Sequence, residues 1–188
     1  MLVKGFIGRL VMKNIILAII ISLLFCSGVR AGDGVLHLNM EEASGNLTDL
    51  SGYGNNCTAY GNPVYQQTGA PNRGKAISFD GSGDYFNCGN SVAFNSSAVT
   101  VLGWIKTGIQ TSAKTIMGKA VTGSISWRIS KVVVGNLLFY VSGNGTSYNL
   151  VSGIGNYMIG DNNWHHFGCV YDNTTGFVYI DGVLNASG

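Results

Sequence analysis

Few side chains in this sequence could do chemistry, and their spacing limits what they can do. Its two glutamates, Glu41 and Glu42, are adjacent. In an extended segment neighbouring side chains leave opposite faces, whereas acid–base work on a glycosidic bond by the retaining route needs two carboxyl groups about 5–5.5 Å apart. No Glu-x-Asp-x-Glu run occurs, and Asp80, Asp172 and Asp181 flank turns. His165 and His166 are also adjacent, so on a strand they cannot chelate one ion together. His37 stands alone. No Gly-x-Ser-x-Gly elbow is present. Nothing in this set assembles a catalytic group.

The remaining candidates are binders. Trp127, Tyr140 and Tyr148 lie near Asn136, Asn144 and Asn149, a mixture of flat rings and amides suited to stacking on a pyranose and bonding its hydroxyls. Tyr140 leads this set, because strand parity puts it opposite Leu137, Phe139 and Val141. The competing reading is that these aromatics are core. Asp49 opens the turn Asp49-Leu50-Ser51-Gly52. There it could join backbone carbonyls around a structural calcium ion, or simply cap backbone N–H groups as an Asx-turn.

These residues sit in a chain patterned for strands. From residue 34 onward, short apolar-alternating runs are broken by turn residues at all-β spacing. Candidate strands are Val35–Met40, Cys57–Tyr60, Ala76–Phe79, Tyr85–Cys88, Thr100–Thr107, Thr115–Lys119, Ser126–Val133, Leu137–Ser142, Ser147–Ser152, His165–Tyr171, Gly176–Ile180 and Val183–Ala186. Asp181-Gly182 between two apolar runs is a hairpin turn whose two central residues need positive φ. In Thr100–Thr107, Val101 and Ile105 oppose Leu102, Trp104 and Lys106. So many short strands exceed one flat sheet, and two packed antiparallel sheets are expected. No segment beyond residue 31 carries a helical period.

Ile15–Phe25 is an apolar run too short to span a bilayer. With Lys13 before it and Val29-Arg30-Ala31 after it, it reads as a helical signal peptide over residues 1–31, cut after Ala31, with Met12 a possible true start. Its removal takes Lys4, Arg9, Lys13 and Arg30 from 11 basic residues, leaving 7 against 9 acidic, so the net charge of +2 becomes −2. The mature chain, residues 32–188, is therefore expected to be secreted or at the cell surface, with no transmembrane span and no basic patch for nucleic acid. Three cysteines remain, Cys57, Cys88 and Cys169, enough for one disulfide. Cys57–Cys88 is the pair to test; the alternative is three small buried hydrophobes.

Several runs, in order, resemble a known family. Leu36-x-Leu38-x-Met40-Glu41-Glu42-x-Ser44-Gly45 and Asp49-Leu50-Ser51-Gly52-x-Gly54-Asn55 come first. Ala76-Ile77-Ser78-Phe79-Asp80-Gly81 with Asp84-Tyr85 follows, then Thr100-Val101-x-x-Trp104-Ile105-Lys106. Trp164-His165-His166 with Val170-Tyr171-Asp172, and Val178-Tyr179-Ile180-Asp181-Gly182, close the series. Together they resemble laminin-G-like jelly-roll domains of the concanavalin A-like lectin/glucanase superfamily. The resemblance implies a concanavalin A-like β-sandwich, and in some relatives a structural calcium near the position of Asp49. It also implies a binding role toward a glycan or an extracellular protein. An adhesion domain and an accessory module of a larger extracellular glycoside hydrolase are the alternatives to a lectin. Family members continue past the Asp-Gly hairpin into a closing strand, so a C-terminally incomplete domain is expected.

Overall fold

A computed structural model of the chain describes residues 34–109, 111–119, 126–131, 135–142, 149–151 and 159–188. The leader falls outside these residues. Twelve strands are described: β1 (Thr58–Tyr60), β2 (Val64–Thr68), β3 (Lys75–Ser78), β4 (Tyr85–Asn87), β5 (Val99–Lys106), β6 (Lys114–Lys119), β7 (Ser126–Lys131), β8 (Leu137–Ser142), β9 (Asn149–Val151), β10 (Trp164–Tyr171), β11 (Gly176–Ile180) and β12 (Val183–Ser187). A single 3-10 turn, Val92–Phe94, precedes β5.

Two four-stranded antiparallel sheets carry the fold, one ordered β12-β11-β10-β5 and the other β6-β7-β8-β9. The period-2 alternation decides which side chains meet between them. Val101, Phe167, Cys169, Val178 and Ile180 face inward from the first sheet; Trp127, Ile129, Leu137, Phe139 and Val141 face inward from the second. Ile159 completes this core. Burying a side chain such as Phe139 stabilises by roughly 1.5–3 kcal/mol, so this layer dominates the energetics. The architecture is the expected all-β sandwich. Among the described residues, no helix is long and apolar enough to cross a membrane.

The first part of the chain is held differently. β1 pairs with β4 and β2 with β3, as two separate ladders. Leu47, Cys57 and Ala70 are its fully buried apolar residues among those described, and every member of the main core lies beyond them, from Val101 on. Thr58 opposes Asn87, and the next pair along that register is Cys57 with Cys88, which form a disulfide. The cysteine pair is therefore structural, while Cys169 remains a free thiol in the core.

Two strand expectations are corrected. Val35–Met40 alternates like a strand but forms none. Its His37 N–H donates to the Asp49 side chain and its carbonyl accepts from Leu50 N–H, in place of a ladder partner, and Met40 turns the chain away at φ 60°. β2 was absent from the expected strands because Val64-Tyr65-Gln66-Gln67-Thr68 is largely polar, with Gln66 at positive φ inside an irregular register.

Candidate functional site

The residues singled out from the sequence do not converge. Trp127 is 8% exposed and sits in the core on the same face as Ile129, where its indole offers no face to a ligand. Tyr140 is half-buried on the outer face of the β6–β9 sheet, opposite Arg128 across the β7–β8 ladder. The Arg128 guanidinium lies 4.6 Å from the Tyr140 ring centroid. Around that pair Ser126, Ser130, Leu138 and Ser142 are buried, while Arg128 itself is exposed. Tyr148 and Asn144 lie outside the described residues.

Asp49 is saturated. Its Oδ1 accepts from His37 N–H (3.0 Å) and Ser51 N–H (2.9 Å), and its Oδ2 accepts from Ser51 O–H (2.8 Å) and Asn55 N–H (2.9 Å). Burial alone would raise its pKa, but these donors together outweigh it and hold the carboxyl at about 2. The Asx-turn reading fits this arrangement. A calcium ion here would face four donated hydrogens, so the carboxylate as bonded does not fit one. Among the described residues, no group of three or more His, Cys, Asp or Glu side chains is placed to hold a metal.

The other carboxylates are likewise tied to the backbone or to histidine. Glu41 Oε1 accepts from Lys75 N–H (2.9 Å) and Glu42 Oε1 from Thr48 N–H (2.9 Å). His165 is gripped from both sides, Nδ1 to Asp181 Oδ2 at 2.8 Å and Nε2 to Asp161 Oδ1 at 3.0 Å. Carboxylates only accept, so both ring nitrogens can be satisfied only when both carry a proton. Burial pushes the His165 pKa down, yet the bonds to Asp181 and Asp161 outweigh it and raise it. Asp181 also accepts from His166 N–H (2.8 Å) and, with Gly182, takes the expected positive φ values of 50° and 81°. This clamp locks the β11–β12 turn against β10.

The open surface is the outer face of the other sheet. On β5, Leu102 is 61% exposed and Trp104 41%. Across the ladder Trp104 opposes His166, their rings edge to face at 5.3 Å between centroids, and Lys106 opposes Trp164. One row further, Leu102 opposes Gly168, which opposes Tyr179 on β11, which opposes Leu184 on β12. A Cβ on Gly168 would lie 3.1 Å from Leu102 Cδ2 and 3.7 Å from Tyr179 Cβ, so glycine is what lets those two side chains close over the sheet as a continuous apolar floor. Apolar rows on a solvent face are uncommon without a binding purpose.

A cation from the first part of the chain reaches this floor. Arg73, in the tight connection between β2 and β3, places its guanidinium 5.4 Å from the Trp104 ring centroid. Glu41 supports that hairpin through Lys75 N–H. An exposed cation–π contact of this kind contributes only about 0.5–1 kcal/mol. None of β5, β10, β11 or β12 contains Asp or Glu.

A family model of laminin-G-like domains, described as the concanavalin A-like lectin/glucanases superfamily, matches residues 80–188. The chain belongs to this superfamily. The match spans the β5–β12 sandwich and begins after β1, β2 and β3. No curated protein and no solved structure matches the chain. As a concanavalin A-like domain it is, at the level of the superfamily, a lectin-like or binding module, and the superfamily also includes glycosidases. Trp104 is not among the candidates singled out from the sequence, although parity sets it with Leu102 and Lys106, away from Val101 and Ile105.

Proposed function

We propose that this concanavalin A-like domain is an extracellular, non-catalytic recognition module for carbohydrate, binding on the outer face of the β12-β11-β10-β5 sheet. The observation that carries the reading is Trp104, 41% exposed on a regular strand. Trp164 and His166 on β10 and Tyr179 on β11 share its side of the sheet. A flat ring fixed on a strand loses little entropy on stacking, and the neighbouring N–H and O–H groups can bond sugar hydroxyls. The non-catalytic part of the reading is supported by the carboxylates. Both glutamates, and Asp49, Asp161 and Asp181 among the aspartates, hold backbone or histidine partners.

Retention on a glycan array tests this. Trp104→Ala is expected to lose retention at least about tenfold, the equivalent of one 1.4 kcal/mol contact, while Tyr140→Ala keeps it. Equal retention by the wild type and Trp104→Ala would remove the sheet face from the site. A protein-adhesion role is the second reading, favoured by the exposure of Leu102, Val183 and Leu184. Capture of a protein partner that free sugars do not compete away would select it.

A further inference from the structure

We infer that the Trp104 face takes an acidic saccharide, a chain whose rings carry uronic-acid carboxylates, with the indole stacking on a ring and Arg73 and Lys106 meeting its carboxylates. The inference rests on the carbohydrate reading above and adds the ligand's charge. Two cations flank the indole: Arg73 over the ring, and Lys106 two residues along the same face of β5. Both are exposed, and neither takes part in an ion pair among the described residues. The acidic residues at the ends of these strands are already engaged, Asp161 and Asp181 with His165 and Asp172 with Thr174 and Thr175.

Charge complementarity therefore runs one way across this face. A neutral sugar laid on the indole would strip water from two cations and offer them no counter-charge, which is unfavourable. A uronate offers both: an apolar ring face for Trp104 and a planar carboxylate that a guanidinium grips with two bonds. The Arg73–indole contact is weak and solvent-exposed, so Arg73 can leave the ring for the carboxylate as the sugar takes its place. His166, edge-on to the indole, supplies an N–H donor at the rim. The two cations form a local pair rather than a basic stripe, which suits separate carboxylates better than the continuous charge of a phosphate polymer.

The test measures binding of polygalacturonate, alginate and hyaluronate to the oxidised mature chain. Fully methyl-esterified polygalacturonate keeps the backbone of the first and removes its charge, and poly-L-glutamate supplies carboxylates without sugar. Near-UV circular dichroism confirms that each variant is folded. At least one polyuronate is expected to bind, and polygalacturonate to bind about tenfold more tightly than its ester. Arg73→Gln and Lys106→Gln should each weaken that binding roughly fivefold at low salt, as for exposed ion pairs, and Trp104→Ala should remove it. Ester bound as tightly as acid, with Trp104→Ala still defective, would overturn the charge assignment and leave the carbohydrate reading standing. Poly-L-glutamate bound as tightly as the polyuronates would assign the face to acidic polypeptides instead. Failure of all three polyuronates to bind overturns the inference, and failure of neutral glycans as well overturns both readings.

Discussion

Reducing the Cys57–Cys88 bond should open one part of this molecule and leave the other intact. The two cysteines are 31 residues apart. Closing a loop of that length lowers the entropy of the unfolded chain by an amount worth about 3.7 kcal/mol at 25 °C. The stretch it closes contains β1 to β4, whose ladders are short and paired only with each other. The main core is built from residues beyond Val99 and does not depend on that loop. A loss of this size removes much of what holds a small, core-poor unit together. Cys169 provides an internal control, since it is fully buried and its burial pushes the thiol up to about 12. After mild reduction and treatment with iodoacetamide at pH 8, intact-mass analysis should show two adducts, on Cys57 and Cys88, before a third. Hydrogen exchange should speed up across residues 34–98 while β8 and β10 stay protected. Simultaneous appearance of all three adducts would refute the division into two parts, as would unchanged exchange in residues 34–98.

Further outcomes follow from His165 and Asp49. His165 has a raised pKa, so the stability of its clamp is fully present below the unfolded value near 6.5 and is lost as pH rises through the folded value. The melting temperature should fall between pH 6 and pH 8.5 in the wild type, and His165→Gln should flatten that fall; an identical slope in both would discard the clamp. Asp49 has a depressed pKa, so its contribution is present above about 3.9 and lost as pH falls toward about 2. Asp49→Ala leaves three backbone donors without their acceptor and should cost about 1–3 kcal/mol in guanidinium denaturation at pH 7. Calcium should leave the wild-type melting temperature unchanged; a rise that disappears in Asp49→Ala would restore Asp49 as a metal ligand.

Strand parity was legible without coordinates wherever one side of a strand met the core. Leu137, Phe139 and Val141 turn inward together, and Val101 with Ile105 opposes Leu102 with Trp104, because a period of 2 leaves no other arrangement. The same rule sets Trp127 beside Ile129. What parity cannot reveal is which outer face stays open. That depends on what lies over it: the residues around Tyr140 are buried apart from Arg128, whereas Leu102 and Trp104 stand exposed. Val35–Met40 shows a second limit, since alternation states a willingness to pair but not the presence of a partner. Cys57–Cys88 is the pair that the sequence singles out, and register supplies the reason it forms: with Thr58 facing Asn87, the next pair brings the two cysteines together. Arg73 beside Trp104 joins residues 31 positions apart, in a hairpin connection and a strand, a juxtaposition that no local pattern encodes.

The Cys57–Cys88 bond reaches further than stability. Arg73 lies inside the loop that the bond closes, while Trp104 and Lys106 belong to the sandwich that stands without it. A chain in which Cys57 and Cys88 are still thiols would keep its indole on the sheet but present it without a reliably placed guanidinium. On the proposed carbohydrate reading, oxidation would then narrow the ligands of the face from any sugar that stacks to those that also bring a negative charge. On the proposed reading, thiol chemistry in this molecule would act as a maturation step, in which the charge selectivity of the face arises only once the bond has formed.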